Sequence, residues 1–510
     1  MRPTTNPARA LSGLARVLGL QPPEEVMDAL AGVTVGGVTH DSRAVHPGDL
    51  YAALPGSVTH GAAYAAEARA RGATAVLTDA AGAAMIEPGL PVLVVDAPRT
   101  VLGRAASWVY GEPARDLTLI GVTGTSGKTT TVYLLEAGLQ AGGRQTGVLG
   151  TVETRIGETR LPSALTTPEA TDLHAIFATM RERGVGAVAM EVSSHALDQG
   201  RVGGAHYDVA IFTNLSQDHL DYHPTMQAYF AAKTRLFTPE YARQGVVNLD
   251  DPFGRELVEL ATIPLVTFSA NGDPRADWRA EDVRLGADGS VFRVVGPGGI
   301  EADASVRLAG PFNVANALAA IVALVQAGSP LPVAVRGVGS LPGVPGRLER
   351  VDEGQDFVTL VDYSHKPGAV EAVLSALRPV TEGRLIIVLG CGGDRDRAKR
   401  PLMGEAAARL SDMAVFTNDN PRSEDPLAIL AAMVEGVVKV PQAERAHVVV
   451  EPDRAAAIEL ALGRAGRGDV VVVAGKGHEQ GQYVAGQVLP FDDREVVRAV
   501  LRGRGDGERL

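Results

Sequence analysis

The run Gly121-Val122-Thr123-Gly124-Thr125-Ser126-Gly127-Lys128-Thr129-Thr130 constrains this chain more than any other feature. An apolar run, Leu117 to Ile120, precedes it, and Thr131-Val132-Tyr133-Leu134-Leu135 follows and reads as the start of a helix. Strand, glycine-rich loop and helix in that order form the setting in which a P-loop works. Glycines let the backbone curl until several N–H groups face one point, and the helix N-terminus adds partial positive charge there. Read so, Gly124, Thr125, Ser126, Gly127, Lys128, Thr129 and Thr130 cradle the phosphates of ATP. Lys128 reaches the β- and γ-phosphates, and the Thr129 hydroxyl ligates Mg2+. The spacing departs from strict G-x-x-x-x-G-K-T: Gly121 lies one position too early, and Val122 stands in the first glycine's place. A glycine-rich turn without nucleotide is the competing reading, and Gly-Lys-Thr-Thr directly after a strand weighs against it.

With 510 residues the chain exceeds one ordinary core, and about three domains is the natural expectation. A net charge of −12 argues against a broad nucleic-acid surface while allowing a local phosphate pocket. The single cysteine, Cys391, excludes an intrachain disulfide and a cysteine-based zinc site and points to a reducing cytoplasm. The mildly apolar first twenty residues are broken by Arg9 and Arg16, with no signal-peptide core. No run approaches the ~20 apolar residues that span a membrane. The expectation is a cytoplasmic monomer acting on small molecules, without nucleic acid or membrane insertion. The charged stretch from Arg502 to Leu510 reads as a frayed tail.

Three blocks emerge. The first, to Pro113, holds short strands at Ala75–Leu77 and Val92–Val95, with an alanine-rich helix around Tyr64 to Arg71. The second carries the phosphate loop and further strands at Gly186–Glu191, Val209–Phe212 and Gly245–Asn248. The third begins near the linker Leu341-Pro342-Gly343-Val344-Pro345-Gly346, with strands at Val358–Val361, Leu385–Leu389, Ala414–Thr417 and Val470–Ala474. Strands alternating with helices predict an α/β chain: a central P-loop ATPase parallel sheet and a C-terminal Rossmann-like domain. The expected boundaries are 1–113, 114–341 and 342–510.

Chemistry-bearing residues cluster at strand ends, where ligands of such sheets sit. Glu191 ends a strand, and a carboxylate there can hold Mg2+ opposite the P-loop threonine; a solvated or capping glutamate is the bland alternative. The loop Asn214-Leu215-Ser216-Gln217-Asp218-His219-Leu220-Asp221-Tyr222-His223 carries two histidines and two aspartates. Its spacing is not diagnostic of zinc, and His219 is placed for a second Mg2+ or a phosphate. Lys233 has apolar neighbours on both sides, and spacing alone favours a snorkelling lysine on an amphipathic helix. In the third block, Asp362-Tyr363-Ser364-His365, Gly390 to Asp396, Thr417 to Arg422 and Gly475 to Glu479 all follow strands. Arginines fork onto carboxylates, while Asp and Glu pair with amines. Together these clusters suggest a pocket for a zwitterionic amino acid, against the alternative of ordinary surface turns.

The series Thr123 to Thr130, Glu191-Val192-Ser193-Ser194-His195, Asn214 to His223, Asn313-Val314-Ala315-Asn316 and Asp362 to His365 resembles, in this order, the Mur ligases of peptidoglycan synthesis. The likeness covers nearly the whole chain and is strongest to the member that adds the third peptide residue. It implies UDP-binding, ATPase and amino-acid-binding domains, with ATP and Mg2+. The implied reaction is ligation of a diamino acid to UDP-MurNAc-L-Ala-D-Glu through an acyl phosphate. By the same resemblance Lys233 is a carbamylated metal ligand alongside Thr129, Glu191 and His219, and Lys128, Lys233, His219 and Glu191 are the catalytic set. Asn313, Arg347 and His365 join the ATP site on domain closure. Ser42, within Asp41-Ser42-Arg43, together with Thr166, Thr167, Ser194, Gln199 and Arg201, takes the UDP-MurNAc-peptide, although His40 replaces a usual apolar residue. Arg395, Asp419, Asn420, Arg422, Gly475 and Glu479 match positions that recognise meso-diaminopimelate, with L-lysine or L-ornithine as the alternatives. A folylpolyglutamate-synthetase-like ligase would lack the UDP and peptide segments, and a P-loop switch would lack the third-block charge set.

Overall fold

The computed structural model describes residues 1–507. They divide into two compact units. The first comprises Met1–Arg279, Val294–Ala302 and Ala315–Val338; the second comprises Ala280–Arg293, Asp303–Val314 and the chain from Gly339 onward. Sheets built from β-branched and leucine runs, with helices between them, carry both units, as the α/β expectation requires.

The first unit opens with a four-stranded parallel sheet, Gly37–Thr39, Asp49–Ala52, Ala75–Thr78 and Val92–Val94, in that order. Leu50, Leu77, Leu93 and Leu102 close its core. The Asp41-Ser42-Arg43 loop leaves the carboxyl end of its first strand. The larger sheet holds parallel strands in the order Thr146–Leu149, Ala187–Glu191, Thr118–Thr123, Val209–Phe212, Gly245–Asn248 and Leu265–Ser269. Glu153–Ile156 and Thr159–Pro162 add an antiparallel edge. Glu191 pairs with Val122 and Phe212 with Thr123, so three strands end level beside the glycine-rich loop. The chain leaves the central Thr118–Thr123 strand first to one side and later to the other, which puts that loop at the switch point of the sheet. Its helix runs Lys128–Ala141 and begins three residues before the apolar run that suggested it.

The second unit is built on five parallel strands ordered Val358–Asp362, Val470–Ala474, Leu385–Leu389, Met413–Phe416 and His447–Val450. Of these five, the one that comes last in the chain, Val470–Ala474, inserts between the two that come first, so four polar clusters meet at one edge. His447–Val450 was not among the expected strands. It lies at the sheet edge, partly exposed, without the continuous burial that marks its neighbours. The expected frayed tail is helical instead: Asp493–Gly507 is one helix, with Val497 and Leu501 buried and Arg502 paired to Glu353 at 3.0 Å. Residues 508–510 lie outside the described residues. No helix among the described residues is long and apolar enough to cross a membrane.

Candidate functional site

Gly124 and Gly127 have φ of 143° and 87°, where a side chain is strained. A Cβ on Gly124 would strike the Thr213 hydroxyl, and one on Gly127 the Asn316 amide oxygen. The loop is held from both sides: Ser126 N donates to Asn214 Oδ1 at 3.0 Å, and Thr125 Oγ1 meets Tyr229 OH at 3.1 Å. Lys128 Nζ donates to the Gly124 and Thr125 carbonyls, each at 3.0 Å. Thr130 is buried one residue beyond Thr129.

Thr129 Oγ1 donates to Glu191 Oε1 at 2.9 Å. Thr151 supplies its N–H to the same oxygen at 2.8 Å and its hydroxyl to Oε2 at 3.2 Å, although Glu191 is only 1 % exposed. This is neither a capping nor a solvated glutamate. A hydroxyl and a carboxylate side by side at a helix N-terminus are hard oxygen donors, the set that suits Mg2+ shared with phosphates. Among the described residues, no group of three or more His, Cys, Asp or Glu is arranged for a metal.

Lys233 does not snorkel. It is 1 % exposed, its Nζ donates to the Gly124 carbonyl at 2.8 Å, and it lies 4.6 Å from the Tyr229 ring centroid. His219, at φ 52° and 3.2 Å from Asp218, stacks edge-on to the same tyrosine at 5.9 Å. Sequence reasoning left His195, Tyr222 and His223 without roles, yet they join this cluster. His195 lies 4.8 Å from His219 and 4.2 Å from Tyr222, and His223 Nε2 is 3.0 Å from Ser194 Oγ. Burial, then mutual repulsion and Arg201, holds His195 below the usual histidine range; burial lowers His223 likewise. The signal was a histidine on each of two adjacent strand-end loops.

The residues expected to take the peptide are linked in one network, except Ser42. Thr167 Oγ1 donates to the Glu191 carbonyl at 2.9 Å, and Thr166 and Thr151 hydroxyls meet at 3.1 Å. Arg201 grips Gln199 Oε1 at 2.6 Å and Glu169 at 2.9 Å. Thr167 is fully buried and positions the strand end. Ser42, on the smaller sheet, donates to Glu67 at 2.9 Å. The unusual His40 has a job: its Nδ1 lies 3.1 Å from Thr171 Oγ1, tying that loop to the helix Ala170–Glu182.

Asn316, within the motif but not singled out, is the residue that packs on Gly127, and Thr131 Oγ1 donates to it at 3.4 Å. In the second unit, Asn313 Nδ2 instead donates to the Ala309 carbonyl at 2.8 Å. Arg347 lies 4.5 Å over the Tyr363 ring, and His365 Nδ1 is 2.8 Å from the Tyr363 carbonyl.

The residues expected to take the amino acid lie near one another after their strands. Asn420 Nδ2 donates to Glu479 Oε2 at 2.9 Å. Fully buried Lys476, which sequence reasoning passed over between two glycines, donates to Asn420 Oδ1 at 2.9 Å and Glu479 at 3.0 Å. A Cβ on Gly475 would lie 2.6 Å from Asp419 Oδ2, and one on Gly392 2.9 Å from Arg422 Nη1 and 3.7 Å from Arg395. Cys391 is buried in the core against Met403 at 3.5 Å, and burial pushes its thiol up to about 12, away from the reactive thiolate.

A phosphate loop at the switch point, facing a threonine–glutamate pair, defines a nucleotide-binding α/β protein, and a charged amino-acid cluster ends its second sheet. Three family models match: the Mur ligase family catalytic domain over residues 34–110, the Mur ligase middle domain over 122–324, and the Mur ligase glutamate ligase domain over 346–477. The chain is 59% identical over 98% of both chains to UDP-N-acetylmuramoyl-L-alanyl-D-glutamate–2,6-diaminopimelate ligase of Streptomyces avermitilis. It is 46% identical to UDP-N-acetylmuramyl-tripeptide synthetase of Leifsonia xyli, over 99% of this chain and 98% of that one. A solved UDP-N-acetylmuramoyl-L-alanyl-D-glutamate–2,6-diaminopimelate ligase superposes with a TM-score of 0.71 and 32% identity, covering 98% of this chain and all of that one. The chain belongs to the Mur ligase family.

Proposed function

We propose that this chain joins meso-diaminopimelate to the D-glutamate of UDP-MurNAc-L-Ala-D-Glu, using ATP and Mg2+, in the cytoplasm and as a monomer. Residues 1–113 bind the UDP moiety, 114–341 the ATP, and 342–510 the amino acid. The names carried by the similar proteins support the reaction. One observation of the site carries the amino-acid assignment. Carboxylates of Asp419 and Glu479 and the guanidinium of Arg422 converge on one sheet edge, matching the amines and the distal carboxylate of a diamino diacid.

The glycine-rich loop and Lys128 bind the triphosphate, and Arg201, Gln199 and Ser194 orient the peptide so that its γ-carboxylate oxygen attacks the γ-phosphorus. The phosphoryl–ADP bond breaks as an acyl phosphate forms. The amine, having lost its proton, attacks the acyl carbon and phosphate departs. Thr129 and Glu191 would hold one Mg2+, which supplies neutralisation of the phosphoryl charge. His219 and Lys233 would hold a second. A carbamate formed between the Lys233 amine and carbon dioxide would supply carboxylate-like oxygens as metal donors.

Product analysis tests the reading. With ATP, Mg2+ and the UDP-dipeptide, meso-diaminopimelate is expected to yield the tripeptide mass. Turnover with L-lysine or L-ornithine instead would remove the Arg422 assignment and keep the ligase. No product with any of the three would remove the function.

A further inference from the structure

We propose that the hairpin Gly481–Val484 and Gln487–Pro490 is a specificity clamp for the diamino-acid site, with Tyr483 as its positioning residue. The proposal rests on the diamino-acid reading above. The hairpin adds little to a core: Gln487–Pro490 is exposed throughout, and Tyr483 is 47 % exposed. Its bonds go to the loop that carries the recognition residues. Arg422 N donates to the Tyr483 carbonyl at 2.9 Å, and Ala485 N donates to the Arg422 carbonyl at 2.7 Å, a two-way bridge in parallel register with Val484. Gln482 Nε2 donates to the Asp419 carbonyl at 2.8 Å, and Tyr483 N to Asn420 Oδ1 at 3.0 Å. Of the tetrapeptide Asp419–Arg422, only Pro421 is outside these bonds.

Two consequences follow from chemistry. Asn420 receives Lys476 and Tyr483 N on its oxygen and gives one amide N–H to Glu479, so its own pocket walls fix its orientation and leave one N–H for a ligand. Arg422 sits at φ 54°, a backbone region that costs a non-glycine residue energy and persists only where surroundings hold it. The hairpin does so on both sides of the residue. Above, the Tyr483 ring centroid lies 6.0 Å from the guanidinium carbon; below, Arg422 Nη1 donates to the Gly393 carbonyl at 2.7 Å. A guanidinium held by a ring contact and by a hydrogen bond to a carbonyl keeps its remaining N–H groups aimed, as bidentate recognition of a carboxylate requires.

Steady-state kinetics of the full-length chain tests this. Tyr483→Ala is expected to raise the KM for meso-diaminopimelate about fivefold, to narrow its preference over L-lysine, and to leave the KM values for ATP and the UDP-dipeptide in place. Tyr483→Phe should restore the diaminopimelate KM, because the ring suffices. Gln482→Ala, which frees Asp419 without touching the ring, should move the same KM in the same direction. An unchanged diaminopimelate KM in both Tyr483→Ala and Gln482→Ala, or a rise shared equally by all three substrates, overturns the clamp. Arg422→Ala run in parallel separates the failures. Lost discrimination there with both Tyr483→Ala and Gln482→Ala silent sinks the clamp alone, whereas a wild-type chain that never uses diaminopimelate sinks both claims.

Discussion

Glu191 holds both carboxylate oxygens in hydrogen bonds while buried, which is costly unless a charge partner repays it on binding. Glu191→Gln keeps the shape and one acceptor but removes the charge. We expect kcat to fall by about two to three orders of magnitude, with the Mg2+ requirement shifted upward, read from phosphate release across a Mg2+ titration. An activity unaffected by the change would remove Glu191 from the metal site. His174 gives a different test. It is wholly buried, Nε2 lies 2.9 Å from the Gly203 carbonyl, and burial pushes it down to about 4. The unfolded chain therefore binds the extra proton between about pH 6.5 and 4. Its stability contribution is full above that window and is lost as pH falls through it, by up to about 1.4 kcal/mol per pH unit. Urea unfolding of wild type and His174→Gln should converge in slope only if that histidine is silent. Single residues were the least legible scale. Lys233, Asn316 and Lys476 owe their places to burial and to partners distant in the chain, which local spacing does not encode.

At the scale of elements, the phosphate loop was legible because glycine conformation, strand and helix all leave local marks. Gly127→Ala should raise the Kd for ATP about 10- to 100-fold, from backbone strain plus the collision with Asn316. ATP titration by calorimetry measures it, and wild-type affinity would mean that the loop does not hold the phosphates. The central strands were legible because strands buried on both faces read as unbroken apolar runs. The edge strand His447–Val450 has only three valines between His447 and Glu451 and is half exposed, and the hairpin after Glu479 is mostly exposed and carries no long apolar run. The final helix was hidden by its arginines, although Val497 and Leu501 have the four-residue spacing of a buried face.

At the scale of the whole chain, an α/β architecture was readable from the alternation of strands and helices. The assignment of 280–293 and 303–314 to the second unit was not, because compactness depends on contacts between segments far apart in sequence. The chemistry asks one thing of the entire molecule: a carboxylate made electrophilic by phosphoryl transfer must then meet an amine held elsewhere on the chain. The measurement that tests this most directly uses UDP-MurNAc-L-Ala-D-Glu labelled with oxygen-18 in the γ-carboxylate, turned over with ATP and meso-diaminopimelate. An acyl phosphate requires one labelled oxygen in each phosphate released, with the other retained in the new amide. Phosphate released without label would contradict the account.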